Sequence, residues 1–265
     1  MGRLDGKAAV VVGGGQTPGE TIGNGRATAI AFAREGAEVL VVDRHLERAA
    51  DTCAAIAAEG GVAHPFAADI TDEEQAAALV AAAVERFGRI DVLHNNVGIG
   101  AGDATATKVS AAGLQRIFEV NLFGLALTCK HALPVMREAG RGSIINISSV
   151  AAVLPFGLVG YKTSKAAVNA YTESLAAANA RYGVRVNAIM PGLMETPMAI
   201  DASLAARGGI SREALVDQRN RQVPLGRKMG TGWDVAWAAV YLASDEARFV
   251  TGVVLPVDGG QSVAG

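Results

Sequence analysis

The chain has 265 residues, of which 50% are hydrophobic and 19% are charged, and its formal net charge is −2. Disordered chains show the opposite balance, so this composition excludes general disorder. The acidic balance and the 5% aromatic content argue against binding to nucleic acid or to an anionic membrane. Two cysteines and four scattered histidines give neither a disulfide framework nor a zinc site, so no metal is expected. The absence of a secretory signal and of a long apolar run predicts a soluble, cytoplasmic protein.

Short β-branched segments alternate with longer Ala-rich segments along the whole chain. The β-branched segments predict strands at 8–12, 39–42, 63–67, 90–93, 143–148, 184–190 and 253–257. The Ala-rich segments predict helices at 25–35, 46–59, 71–87, 114–136, 161–182 and 233–242. Continuously apolar strands separated by helices are typical of a parallel sheet that is covered on both faces. The sequence therefore predicts an α/β fold, a single doubly wound Rossmann-type domain over 1–265 with a parallel seven-stranded sheet.

The segment 197–224 differs from the rest because it is charged and rich in Arg and Ala. It follows the carboxyl end of a predicted strand, which is where ligands bind in open α/β sheets. We interpret it as a lid or substrate loop containing short helices. The alternative is that the segment is an ordinary surface loop.

A glycine-rich turn follows the first strand, beginning at Gly13, and Gly23, Asn24 and Gly25 open the first helix. Glycines let the backbone approach a pyrophosphate, and the start of a helix offers free amides. Asp43 ends the second strand, where a carboxylate accepts hydrogen bonds from the adenosine ribose and repels a 2′-phosphate. These features predict NAD as the cofactor and make NADP the weaker candidate.

Tyr161 and Lys165 lie four residues apart on a predicted helix, so they share one face. An ammonium beside a phenol is expected to lower the tyrosine pKa from about 10, which gives a general acid or base near neutral pH. Ser148 and Ser149 end the fifth strand just upstream, where a hydroxyl group can polarise a carbonyl.

In this order, the motifs resemble the short-chain dehydrogenase/reductase family over nearly the whole chain. The resemblance also rests on Asp69, Asn95-Asn96-Val97-Gly98, Asn121, Arg185-Val186-Asn187, Pro191-Gly192 with Thr196, and Val257-Asp258-Gly259-Gly260. It implies that Tyr161 exchanges the proton, that Lys165 lowers its pKa and binds the nicotinamide ribose, that Ser149 orients the substrate oxygen and that Asn121 holds a relay water. It further implies a homotetramer. The cofactor-binding residues that it implies are Gly13, Gly23, Asn24, Gly25, Asp43, Asp69, Ile70, Asn96, Val97, Gly98, Tyr161, Lys165, Pro191, Gly192 and Thr196.

The chain departs from the family pattern at several positions. Val12 replaces a common Thr, and Val97 replaces the usual Ala. The glycine loop is longer than usual by residues 16–21, so its individual contacts cannot be carried over. The usual spacing from Tyr161 points to Ser148 as the catalytic serine, whereas alignment of the strand points to Ser149. We choose Ser149, because strand register is stiff whereas the following loop can lose one residue. A one-residue slip in a strand flips the side chain, so both serines cannot serve.

The substrate clues are few. Apolar side chains suggest a pocket for a bulky, neutral alcohol or ketone, namely Leu154, Pro155, Phe156, Leu193, Met194, Met198 and Ile200. The alternative is an acidic substrate or carrier-protein surface, met by Arg207, Arg212, Arg219, Arg221 and Arg227. The sequence thus predicts an NAD(H)-dependent oxidoreductase for a secondary alcohol or its ketone. The alternatives are an NADPH-dependent 3-oxoacyl-thioester reductase and a nucleotide-binding regulatory protein of the same fold.

Overall fold

The structure is a computed structural model that describes residues 2–207 and 209–264. At 202, 203 and 205–207 it describes the backbone alone, so the Arg207 side chain lies outside the described part.

The described residues form a seven-stranded sheet in which all neighbouring strands are parallel. The strands are β1 (Ala8–Val12), β2 (Glu38–Asp43), β3 (Ala63–Ala67), β4 (Val92–Asn95), β5 (Gly142–Ile147), β6 (Val184–Pro191) and β7 (Val254–Val257). Their order is β3-β2-β1-β4-β5-β6-β7. The predicted doubly wound sheet is confirmed, and the strand order reverses between β1 and β4. In such sheets this reversal opens a crevice at the carboxyl ends of the strands.

Helices cover both faces of the sheet. They are α1 (Asn24–Arg34), α2 (Leu46–Ala58), α3 (Glu73–Phe87), α4 (Ala111–Phe118), α5 (Gly124–Glu138), α6 (Val159–Asn179), α7 (Pro197–Arg207), α8 (Arg212–Asn220) and α9 (Gly232–Ala243). One core layer packs α1, α2 and α9 against the sheet, and the other packs α3, α5 and α6. Among the described helices, none has the length and apolar character that would let it cross a bilayer.

Two predicted boundaries need correction. The predicted helix 114–136 is two helices, α4 and α5, joined by a π-helical turn over Glu119–Phe123. The predicted strand at 90–93 lies two residues further on, at Val92–Asn95. Because π turns are enriched at functional sites, the position of Asn121 within this one is significant.

His94 on β4 is fully buried and packs edge-on against Phe32, with 6.0 Å between the ring centroids. Neither ring nitrogen has a hydrogen-bond partner among the described residues. Burial lowers the pKa of His94 from 6.5 to about 3, so the imidazole is neutral in the folded chain.

We expect His94 to make the fold sensitive to acid. In the unfolded chain the imidazole is protonated below about pH 6.5, whereas in the folded chain it stays neutral until about pH 3. The contribution of neutral His94 to the free energy of unfolding is therefore fully present above pH 6.5 and is lost as the pH falls towards 3. The free energy of unfolding should drop by about 2 kcal/mol more in the wild type than in His94→Val between pH 7 and pH 5. Urea titrations at the two pH values measure this difference, and equal losses in both proteins would contradict it.

Candidate active site

A cavity of about 850 Å³ lies at the carboxyl ends of the strands. Two ends can be distinguished, one beside the glycine turn and Asp43 and the other beside Tyr161 and Ser149. Asn121 is the one predicted site residue outside the cavity lining. The lining includes Gly13, Gly23, Asn24, Gly25, Asp43, Asp69, Ile70, Asn96, Val97, Gly98, Ser149, Tyr161, Lys165, Pro191, Gly192 and Thr196.

The glycine turn packs tightly against the first helix. A Cβ atom on Gly25 would lie 1.9 Å from the carbonyl oxygen of Gly13 and 2.6 Å from Nδ2 of Asn96, so no larger residue fits there. Asn96 Nδ2 donates a hydrogen bond to the same Gly13 oxygen at 3.1 Å. Gly13 itself has a positive φ of 77°. The turn after β1 and the loop after β4 are therefore fixed to each other at one end of the cavity.

The longer part of the glycine loop is closed by Gln16. Its Nε2 donates to the carbonyl oxygen of Thr21 at 2.8 Å, and its Oε1 accepts from the Gly23 amide at 3.1 Å. Glu20 then pairs with Arg212 of α8 at 3.1 Å, and Arg212 also contacts Asp201 of α7 at 2.6 Å. The additional residues thus link the glycine turn to the segment 197–224, a contact that the sequence left open.

The Asp43 carboxylate lies at the end of β2, facing the glycine turn. Its Oδ1 accepts a hydrogen bond from the His45 amide at 3.0 Å, and a Cβ atom on Gly15 would lie 2.4 Å from its Oδ2. Arg44 and Arg48 also line this end of the cavity. Arg44 Nε donates to the His45 ring at 3.1 Å. Sequence analysis missed Arg48, although its position one helical turn into α2 is a usable signal.

Asp69 and Ile70 form the wall beyond β3. Asp69 Oδ1 accepts hydrogen bonds from the Thr71 amide at 2.9 Å and from the Thr71 hydroxyl at 2.7 Å. Burial opposes ionisation of this carboxyl group, but the Thr71 hydrogen bonds outweigh it and hold the pKa below its ordinary value. Asp69 is therefore an ionised acceptor at the rim of the cavity.

The loop after β6 is held by the C-terminal segment. The Gly192 amide donates to the Val257 carbonyl at 2.9 Å, and the Leu193 amide donates to Oε1 of Gln261 at 2.7 Å. Gln261 also lines the cavity and was missed by sequence analysis. Its partner lies 68 residues away along the chain, so local sequence gave no signal.

The predicted proton-transfer residues meet at the other end of the cavity. Tyr161 and Ser149 share a hydrogen bond. Lys165 is buried on the same face of α6 and donates from Nζ to the Ile147 carbonyl at 2.8 Å. Ser148 points elsewhere, since its hydroxyl donates to the Lys165 carbonyl at 3.0 Å. Of the two serines, Ser149 alone contacts the phenol, and its catalytic role stays a prediction.

Asn121 lies directly behind the cavity lining and is fully buried. Its Oδ1 accepts from the Ile99 amide at 2.7 Å, and its Nδ2 donates to the Ile99 carbonyl and to the Ser164 hydroxyl, both at 3.0 Å. The π turn thereby connects the loop after β4 to α6, the helix that carries Tyr161.

We expected Lys165 to lower the pKa of Tyr161, and for the protein alone this prediction is wrong. Burial raises the pKa of the Tyr161 phenol, and the hydrogen bond with Ser149 opposes this only in part. The Lys165 ammonium lies 5.9 Å from the Tyr161 ring centroid. Burial also lowers the pKa of Lys165 to about 8, so desolvation dominates the pKa shift of both groups.

Asp103 is a further residue that sequence analysis missed. Its Oδ1 accepts from the Gly160 amide at 2.8 Å, and its Oδ2 accepts from the Tyr161 amide at 2.7 Å. These are free amides of the first turn of α6, whose N-cap residue Leu158 makes no side-chain cap. A carboxylate from a distant loop therefore caps the helix at Tyr161, and its position 57 or more residues away leaves no local pattern.

Comparisons with known proteins agree with this geometry. A family model described as Enoyl-(Acyl carrier protein) reductase matches residues 20–262. A 2,5-dichloro-2,5-cyclohexadiene-1,4-diol dehydrogenase from Sphingobium indicum is 38% identical, over 98% of each chain. A cis-4-hydroxycyclohexanecarboxylate dehydrogenase from Sinomonas cyclohexanicum is 39% identical, over 91% of this chain and 93% of its own. A Burkholderia xenovorans crystal structure, provisionally assigned as a short-chain dehydrogenase/reductase, has a TM-score of 0.93 and 41% identity over the full length of both chains.

Proposed function

The chain belongs to the short-chain dehydrogenase/reductase family of oxidoreductases, which act on secondary alcohols and ketones, and we propose that it transfers a hydride between NAD(H) and a ring-bearing secondary alcohol or its ketone. The observation that carries the proposal is that one cavity joins the Asp43 and glycine-turn end to the Tyr161 and Ser149 end. The end beside the glycine turn would bind the cofactor, and the end beside the phenol would transfer the proton.

The residues of the cavity fit the nicotinamide cofactor. The amides at the start of α1 and the Gly13 turn would hold the pyrophosphate, and Asp43 would accept from the adenosine ribose. A Cβ atom on Gly98 would lie 2.9 Å from Lys165 Nζ, so glycine keeps the space beside this ammonium open for the second ribose. When bound, the nicotinamide accepts or supplies the hydride.

The chain's own groups handle the proton and the substrate oxygen. Ser149 donates a hydrogen bond that holds the oxygen beside the phenol. Tyr161 takes the hydroxyl proton during oxidation and returns it during reduction. Lys165 holds its ammonium 5.9 Å from the Tyr161 ring centroid, where it would bind the nicotinamide ribose. Asn121 and the carboxylate of Asp103 keep α6 and its phenol in place.

The substrate end has mostly apolar walls. Of the predicted apolar residues, Ile200 instead packs inside the segment 197–224 with Leu215 and Val223. That segment has its own small core and covers the cavity rim, so we propose that it acts as a lid within a one-domain enzyme. The names of two relatives describe alcohols on six-membered carbon rings, which suit such walls. The remaining wall residues are Leu154, Pro155, Phe156, Leu193, Met194 and Met198.

We expect NAD to be preferred over NADP, and this expectation tests the proposal. Two charge-assisted hydrogen bonds from Asp43 to the ribose favour NAD, whereas a 2′-phosphate would meet the carboxylate at close range. The preference in kcat/KM should be on the order of a hundredfold. Asp43→Ala should reduce this preference mainly by raising kcat/KM with NADP, because Arg44 and Arg48 remain nearby. Asp51→Ala, an exposed carboxylate on α2, is the matched control.

Equal or better turnover with NADP by the wild type would contradict the NAD preference. It would favour the 3-oxoacyl-thioester reductase instead, in keeping with the acyl-carrier description of the family model. A regulatory protein without catalysis is disfavoured, because Asn121, Ser149, Tyr161 and Lys165 are all in place.

We also propose that the enzyme is a cytoplasmic homotetramer. Large apolar side chains are exposed on α9 and near the C-terminus, where Trp237 is 43% and Phe249 100% exposed. Buried interfaces of symmetric oligomers commonly cover such residues. Light scattering at micromolar protein should give four times the chain mass, and a stable mass of 27.1 kDa would contradict the proposal.

A further inference from the structure

Lys162, the residue after Tyr161 on α6, contacts the loop that joins β5 to α6. Its Nζ donates to the carbonyl oxygens of Leu154 at 2.6 Å, Ala151 at 3.2 Å and Ala152 at 3.3 Å. A lysine ammonium has three donors, and here each has a carbonyl acceptor from one short stretch of chain. The side chain is half-buried and lies outside the cavity lining.

The same loop forms a wall of the substrate end. It leaves Ser149 through a single 3₁₀ turn, Val150–Ala152, and then presents Leu154, Pro155 and Phe156 to the cavity. The Phe156 ring lies 6.1 Å from the Tyr161 ring. Two of the three carbonyl oxygens that Lys162 holds, those of Ala151 and Leu154, therefore belong to residues that line this cavity, and Pro155 and Phe156 follow directly in the chain.

This loop is also where the chain departs from the usual serine-to-tyrosine spacing by one residue. A loop without regular backbone pairing must satisfy its carbonyl oxygens in another way. Hydrogen bonds to a charged donor are stronger than neutral ones, so one ammonium can fix three oxygens at once. Because Lys162 is on α6, the loop is fixed relative to Tyr161 itself.

We propose that Lys162 is a positioning residue that sets the shape of the substrate wall and, through it, the affinity for the alcohol. The identity of the substrate rests on the function proposed above, but the control of the loop by Lys162 does not. The glycine turn and Asp43 lie on other elements, and Lys165 keeps its own hydrogen bond to the Ile147 carbonyl, so the loss of Lys162 should leave nucleotide affinity unchanged.

Two measurements on Lys162→Met test the proposal. Hydrogen exchange of the amides at 151–154 and of Phe156 should be about tenfold faster than in the wild type, because the anchor of the loop is gone. The KM for a ring alcohol should rise about tenfold, whereas kcat and the Kd for NADH should change by less than about twofold. Lys162→Arg retains the donors and the charge, so its exchange rate and its KM should both stay close to the wild-type values. Lys130→Met, which removes an exposed lysine paired with Glu73 on α3, is the matched control.

The outcomes separate this proposal from the proposed function. Unchanged exchange of the amides at 151–154 and of Phe156 in Lys162→Met would overturn it, whether or not any alcohol is turned over. A KM increase matched by an equal loss of NADH affinity would also overturn it, since that pattern indicates general unfolding. If the wild type oxidises no alcohol while the variant exchanges faster, the proposed function fails and the role of Lys162 in the loop stands.

Discussion

Tyr161→Phe should lower kcat by roughly 10²–10⁴-fold, the usual contribution of general acid–base catalysis. The substitution keeps the ring that packs near Phe156 but removes the hydroxyl that bonds Ser149. NADH should still bind, because the glycine turn and Asp43 are untouched. Steady-state kinetics and fluorescence titration with NADH measure the two effects separately.

Tyr171→Phe is the control for this experiment. It removes a phenol hydroxyl from the same helix, but its ring packs against the core layer of α3, α5 and α6 and does not line the cavity. Its kcat should stay within a few-fold of wild type. Near-wild-type turnover by Tyr161→Phe would show that another group transfers the proton.

Ser149→Ala and Ser148→Ala should differ sharply although the two residues are adjacent. Ser149 bonds the Tyr161 phenol, and loss of one donor to a reacting oxygen typically costs on the order of a hundredfold in kcat. Ser148 is buried and its hydroxyl donates to the Lys165 carbonyl, so its loss should mainly reduce stability, by about 1 kcal/mol. Kinetics and urea unfolding of both variants separate these effects.

The opposite result would reverse the choice of serine. If Ser148→Ala abolishes turnover and Ser149→Ala does not, then the count back from Tyr161 was the better guide. The strand register seen at β5 would then not describe the active enzyme.

The fold was predictable because its signals are local. Runs such as Val39–Val42 are apolar throughout, which only a strand buried on both faces requires. The break at Glu119–Phe123 was not predictable, since these five residues include neither Gly nor Pro to mark it. The α7 and α8 helices matched the predicted short helices of the segment 197–224.

The candidate site was predictable where its residues follow strand ends. Asp43 and Ser149 could be assigned in this way, and their roles stay predictions. Asp103 and Lys162 were missed because they act on backbone atoms that are distant in sequence or sit in an irregular loop. The direction of the Tyr161 pKa was wrong because the extent of burial depends on the whole fold.

The most direct test of the account is isotope transfer from a ring alcohol. The protein is mixed with NAD and a cyclohexanol-type alcohol deuterated at the carbinol carbon, and the reduced nicotinamide is collected. NADH should accumulate with the deuterium attached to the nicotinamide ring, and Tyr161→Phe should form very little of it. Absence of reduced nicotinamide from a panel of such alcohols, together with no oxidation of NADH by the corresponding ketones, would contradict it.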